Sequence, residues 1–136
     1  SNATRETVVA VIDTGILVNH PDLVNALWIN PGEIADNGVD DDGNGYVDDV
    51  HGFDFRGNTA DLTDETGHGT HVAGIVAAEA NNALGVAGVA SALATVRIMP
   101  LKFIDSQGGS FSDAIEALEY AVAMGVPISC NSWGSS

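Results

Sequence analysis

Basic residues are scarce in this 136-residue chain: four Lys and Arg stand against nineteen Asp and Glu, for a formal net charge of -15. That balance argues against a nucleic-acid backbone or an anionic membrane as partner, since both are held by clustered positive charge. Cysteine occurs once, as Cys130, which excludes an internal disulfide and any cysteine-cluster zinc site. Cys130 sits in an apolar run and reads as a small core residue. No stretch is long and apolar enough to span a bilayer. Hydrophobic residues make up 45% of the chain, enough for the sizeable core of one domain. Ser1-Asn2-Ala3 reads as an expression scar, which leaves residues 4–136, the length of one domain.

The acids are not spread evenly. Eleven of them lie between Glu33 and Glu65, a local excess that suggests bound cations, with a solvated acidic loop as the alternative. Residues 30–66 are rich in Asp, Asn and Gly and read as a long functional loop with one short strand near Val50 to Phe55. Within it, Asp40, Asp42 and Asn44 alternate, Gly45 permits a sharp turn, and Tyr46 can offer its carbonyl. This is the loop grammar of a site for a hard, oxygen-preferring cation, calcium above all. Asp48 or Asp49 would complete the shell, and Asp36 can contribute from upstream. His51 stands at the twelfth position, where an EF-hand has its bidentate Glu.

Elsewhere the chain alternates strands and helices. Thr7 to Ile12 is a continuous apolar, β-branched run, suited to a strand covered on both faces in a parallel sheet. It ends in Asp13-Thr14-Gly15, and strand C-termini are where ligands gather in open parallel sheets. His20-Pro21-Asp22-Leu23 reads as a turn into a short helical piece. The stretch Thr66 to Ala78 reads as a helix that opens at His68 between two glycines, with Gly74 admitting a close neighbour. Asn81 to Val86 reads as a loop, Ala94 to Leu101 as a second buried strand, and Gly108-Gly109-Ser110 as a flexible turn. A helix from Ser112 to Met124 carries an apolar stripe of Ile115, Leu118 and Val122, and Gly125 stops it. Val126 to Asn131 reads as a further strand. The fold class is therefore α/β, a partial parallel sheet with helices on both faces in three layers.

An acid at a strand end and a histidine at a helix start are each weak signals. Together they suggest a carboxylate that orients an imidazole, whose other nitrogen acts as general base toward a hydroxyl. The segments Val11-Ile12-Asp13-Thr14-Gly15 and Gly67-His68-Gly69-Thr70-His71-Val72-Ala73-Gly74 resemble the signatures of the subtilisin-like serine proteases. His20-Pro21-Asp22-Leu23 and Asn131-Ser132-Trp133-Gly134 match as well, so the resemblance covers nearly everything from Val8 to Gly134.

The resemblance implies that residues 4–136 are the N-terminal portion of a larger, subtilisin-like peptidase domain. It implies a subtilisin-like fold, with Asp13 as orienting acid and His68 as general base, while His71 is structural. His68 and His71 are three apart and lack a metalloprotease helix's Glu and spacing. It implies that Ser132, Trp133 and Gly134 form one edge of a peptide-binding cleft and that Gly108, Gly109 and Phe111 form the opposite wall, with an extended substrate between them. It also implies a second calcium site from Asp22, the Asn82 side chain and the carbonyls of Ala80, Leu84 and Val86. An extracellular location follows from the same resemblance.

The family's nucleophile lies in a Gly-Thr-Ser-Met-Ala-type segment that does not occur here. The expectation is an endopeptidase in an intact parent and an inactive piece in isolation, because loss of the nucleophile removes nearly all catalytic power. A piece that exposes a sheet edge and apolar surface is expected to self-associate. The rival readings are a calcium-binding pseudoenzyme and a peptide-binding module.

Overall fold

The computed structural model describes residues 5–86 and 94–132, with side chains described for 6–77 and 96–132. The apolar run at the start forms β1 (Arg5–Asp13). It lies between β3 (Ala94–Lys102) and β6 (Ile128–Cys130), and β2 (Phe53–Asp54) adds outside β3. All three pairings are parallel. The β1–β3 register runs unbroken from Arg5 opposite Ala94 to Asp13 opposite Lys102.

Side chains on β1 alternate between two cores, as a period of two requires. Ala10 and Ile12 face one core with Phe53, Phe55, Met99, Leu101 and four residues of α2 (Phe111–Ala123). Val11 faces the other core with Ile98, Leu62 and the α1 residues Val72 and Ala73. Helix α1 spans His68–Val86. One helix thus covers each face, which gives the three layers of an α/β fold. The same alternation turns Asp13, two residues beyond Val11, toward the side that carries the start of α1.

Several local expectations change. Helix α1 continues through Asn81 to Val86, where the sequence reads as a loop. The residues Gly108–Gly109 are β5, paired antiparallel with β4 (Ile104–Asp105), so the glycine turn is one arm of a hairpin. Among the described residues, a Cβ on Gly74 would meet nothing within 4 Å.

In α2, Ile115, Leu118 and Val122 are exposed, and Ala114, Ala117, Tyr120 and Ala121 are buried. Both faces of this helix are apolar. The alanine face wins because small side chains let the helix lie close to the sheet while Tyr120 reaches the aromatic cluster beneath it. The end of α2 follows the sequence. Gly125 has φ 75°, its N–H donates to the Val122 carbonyl at 3.0 Å, and the Val126 N–H donates to the Ala121 carbonyl at 2.9 Å. This is the Schellman arrangement that favours glycine just past a helix.

Candidate active site and acidic loop

Asp13 leaves β1 almost fully buried, its side chain 2% exposed. His68 opens α1 with its side chain 51% exposed. The His68 Nδ1 lies 2.7 Å from Asp13 Oδ1. A carboxylate only accepts, so the imidazole donates from Nδ1. The Thr14 backbone N–H donates to the same oxygen at 2.7 Å. Asp13 Oδ2 is buried with no hydrogen-bond partner among the described residues.

A layer of contacts that the sequence reading does not name lies behind this pair. Asp64 is buried, and its Oδ1 accepts from the Thr14 hydroxyl at 2.8 Å and the Gly67 N–H at 2.9 Å. Its Oδ2 accepts from the Thr70 N–H at 2.9 Å and the Thr70 hydroxyl at 2.7 Å. Burial alone would push the Asp64 carboxyl up, but the hydrogen bonds from Thr70, Thr14 and Gly67 outweigh it and hold its pKa below the ordinary value. The available signal was an acid between threonines just ahead of a helix start, where N–H groups lack intrahelical partners. Lys102, buried opposite Asp13 in the register, donates from Nζ to the Thr63 carbonyl at 2.6 Å and fastens the same loop.

Gly69, beside His68, sits where the helix start passes close to the chain leaving β1. A Cβ there would stand 2.2 Å from the Gly15 carbonyl oxygen. Only a hydrogen fits, and this lets the Gly69 N–H reach the Thr14 hydroxyl at 2.8 Å.

The residues expected to line a peptide cleft fall in separate elements. Gly108 and Gly109 form β5, and Phe111 begins α2 with 76% of its surface exposed. Ser110 caps that helix by accepting from the Asp113 N–H at 3.2 Å. Ser132 is exposed just beyond β6. Trp133 and Gly134 lie outside the described residues.

In the acidic loop, three carboxylates converge: Glu33, Asp42 and Asp49 each offer an oxygen within 4.8 Å of the others. Glu33, not Asp36, is the upstream member. Asp49 is fully buried, and its Oδ1 and Glu33 Oε2 are buried atoms without a hydrogen-bond partner among the described residues. Burial pushes the carboxyls of both Asp49 and Glu33 up. Three oxygen-only side chains gathered within 4.8 Å, two of them carrying a buried oxygen without a partner among the described residues, fit a hard divalent cation.

The other loop residues are occupied differently. Asp40 accepts from the N–H groups of Asn44 at 3.2 Å and Gly45 at 2.8 Å. Asp48 accepts from those of Asn37 at 3.1 Å and Gly38 at 3.0 Å. Asn44 donates its amide to Asp49 at 2.7 Å and accepts from the Tyr46 N–H at 2.9 Å. The Asn44–Tyr46 contact is an Asx turn, and the others are side-chain bridges to backbone N–H groups that shape the loop. His51 uses Nδ1 on the Trp28 carbonyl at 2.8 Å. Asp22 is exposed near His20, whose Nδ1 accepts the Asp22 N–H at 3.1 Å. The side chains of Ala80, Asn82 and Leu84, and of Val86, lie outside those described, and the backbone that was to offer carbonyls as a loop is helical.

Comparison with known proteins gives a consistent picture. A family model described as "Subtilase family" matches residues 4–136. The chain is 37% identical over 123 residues to subtilisin-like protease 1 of Plasmodium berghei, covering 90% of the chain and 20% of that protein. It is 39% identical over 121 residues to a thermophilic serine proteinase of Bacillus sp. strain AK1, covering 88% of the chain and 24% of that protein. It is 37% identical over 134 residues to an extracellular protease of Xanthomonas campestris pv. campestris, covering 92% of the chain and 22% of that protein. The chain therefore spans about a fifth of the length of these curated relatives.

Proposed function

The chain belongs to the subtilase family, and on that basis we propose that it forms the acid-and-base half of a serine endopeptidase site. The observation that carries this reading is the 2.7 Å contact between Asp13 Oδ1 and His68 Nδ1. The buried carboxylate fixes which nitrogen carries the proton and steadies the imidazolium. The free ring nitrogen then takes the proton of a serine hydroxyl as that oxygen attacks the peptide carbonyl, and returns it to the leaving amine. The serine comes from chain beyond these 136 residues, so the isolated chain is inactive. An extended peptide would lie between the Gly108–Phe111 segment and the Ser132–Gly134 segment. The name of the Xanthomonas relative supports an extracellular location.

The acidic loop holds calcium in this reading, with Glu33, Asp42 and Asp49 as direct ligands. Asp40, Asn44, Tyr46 and Asp48 act mainly as its scaffold. The cation would supply positive charge to a cluster that burial disfavours as carboxylates. Its work is structural, and no catalytic step passes through it.

The decisive experiment places this chain within a longer polypeptide that supplies a Gly-Thr-Ser segment. Peptide hydrolysis and labelling by a fluorophosphonate are then measured. The longer protein should cleave and label, His68→Ala should lower turnover by on the order of 10⁴-fold or more, and the isolated chain should do neither. Undiminished turnover in folded His68→Ala overturns the assignment. A longer protein that binds peptide without cleaving it favours the peptide-binding module.

A further inference from the structure

We propose that Asp64 is a positioning residue that sets the Asp13–His68 geometry through the hydroxyl of Thr14, an inference that rests on the proposed catalytic reading. Thr14 follows Asp13 in the chain, and Gly69 follows His68. One hydroxyl bridges these two neighbours: it accepts from the Gly69 N–H at 2.8 Å. Its single hydrogen points at Asp64 Oδ1, 2.8 Å away, because a carboxylate can only accept. The carboxylate thus decides the direction of the hydroxyl. The hydroxyl in turn ties the end of the strand to the first turn of the helix.

Asp64 also grips the helix start on both sides of His68. It takes the N–H groups of Thr66 at 3.2 Å and Gly67 at 2.9 Å before the histidine, and that of Thr70 at 2.9 Å after it. The Thr66 and Thr70 hydroxyls add contacts at 3.2 and 2.7 Å. The Thr70 hydroxyl also accepts from the Leu17 N–H at 3.0 Å, so the chain leaving β1 is held a second time.

Every partner of Asp64 is a donor, and three of them are backbone N–H groups that cannot reverse. An amide in its place must turn an NH₂ group toward donors on one side or the other. Position 64 therefore needs a carboxylate and not merely a polar side chain of the same shape. Asp64 is buried, and it acts on the ring only through the backbone it holds. His68 is half exposed, so the ring depends on these contacts from behind for its aim.

The test uses the 136-residue chain with ¹⁵N-labelled histidine, reading the His68 tautomer from its ring nitrogen shifts and the hydrogen-bonded Nδ1 proton from its downfield resonance. The variants are Asp64→Asn, Thr14→Val and Thr14→Ser, each with an unfolding curve to establish that it folds. The wild type should show His68 protonated on Nδ1. Asp64→Asn and Thr14→Val should reduce that bonded tautomer by about 2- to 10-fold, the range that one net hydrogen bond supports. Thr14→Ser keeps the hydroxyl and should match the wild type.

Wild-type ring spectra in folded Asp64→Asn and Thr14→Val overturn the proposal. If Asp64→Asn does not fold, Thr14→Val decides alone, since it leaves the carboxylate and its other donors in place. A Thr14→Val that also fails to fold while Thr14→Ser behaves as wild type assigns the bridge to folding and overturns the positioning role. A wild type without the Nδ1 signature removes the Asp13–His68 pair itself, a separate failure of the catalytic reading.

Discussion

Tyr120 donates its phenol hydrogen to the buried carboxylate of Asp49 at 2.5 Å, joining helix α2 to the acidic loop across 71 positions of sequence. Tyr46 makes a parallel tie, its hydroxyl 2.8 Å from Glu116 Oε2. The rings of Tyr46, Phe53, Phe55 and Tyr120 meet edge to face with centroids 4.9 to 5.6 Å apart. The loop is therefore part of the core on that face of the sheet, even though Asp36, Asp41 and Asp42 are exposed.

Tyr120→Phe should keep the ring packing and remove one donor from Asp49. Hydrogen bonds to charged groups are worth about 1.5–3 kcal/mol, and a loss in that range is expected in urea unfolding. The Asn44 amide remains on the same oxygen, which favours the lower end. An unchanged midpoint would show that Asp49 is served by other partners.

Calcium should raise the unfolding midpoint relative to chelator. Saturation at about 100 times the dissociation constant adds about 2.7 kcal/mol. Glu33→Gln and Asp42→Asn should each shrink the shift markedly, and Asp36→Asn should leave it intact. Equal melts in calcium and chelator would rule out a stabilising cation.

In chelator, the cluster should give stability a specific pH dependence. Burial raises the folded pKa of Asp49 above its ordinary 3.8, so the folded state binds the proton more tightly than the unfolded state. Stability from this group then falls as pH rises from 3.8 through the folded value. Asp49→Asn should remove that fall. Asp64 has the opposite sign: its contribution is present above 3.8 and lost as acid titrates it below that value. The two variants should therefore diverge from wild type in opposite pH directions.

Two glycines on α1 should respond oppositely to alanine. Gly69→Ala drives a Cβ into the Gly15 carbonyl, and overpacking against backbone costs about 1–3 kcal/mol. Gly74→Ala meets nothing within 4 Å among the described residues and should gain about 0.5–1 kcal/mol from helix propensity. Thermal melts of both variants check the contrast.

The face of α2 that carries Phe111, Ile115, Leu118 and Val122 is exposed, and we expect the isolated chain to self-associate through it. Light scattering should show a mass that rises with concentration and falls in Leu118→Lys with Val122→Lys. A monomer at all concentrations would end this expectation.

The sequence by itself determined the parallel strand of β1, the glycine stop after α2, the start of α1 at His68, and the family. Each rests on local chemistry: an unbroken β-branched run, a positive φ that suits glycine, a glycine-flanked motif. It also named Asp13 and His68 together, because both lie in short signature segments. Only the tertiary structure decided which apolar face of α2 is buried, since Ile115 and Ala114 carry equally apolar labels and the depth of the sheet beneath selects between them. It likewise decided that Glu33 and not Asp36 turns toward Asp42 and Asp49, and that Asp64 stands behind the Asp13–His68 pair. A carboxylate looks the same in sequence whether it caps a turn, waits for a cation or holds two segments in register. Which donors surround it depends on residues far along the chain, and folding alone brings them there.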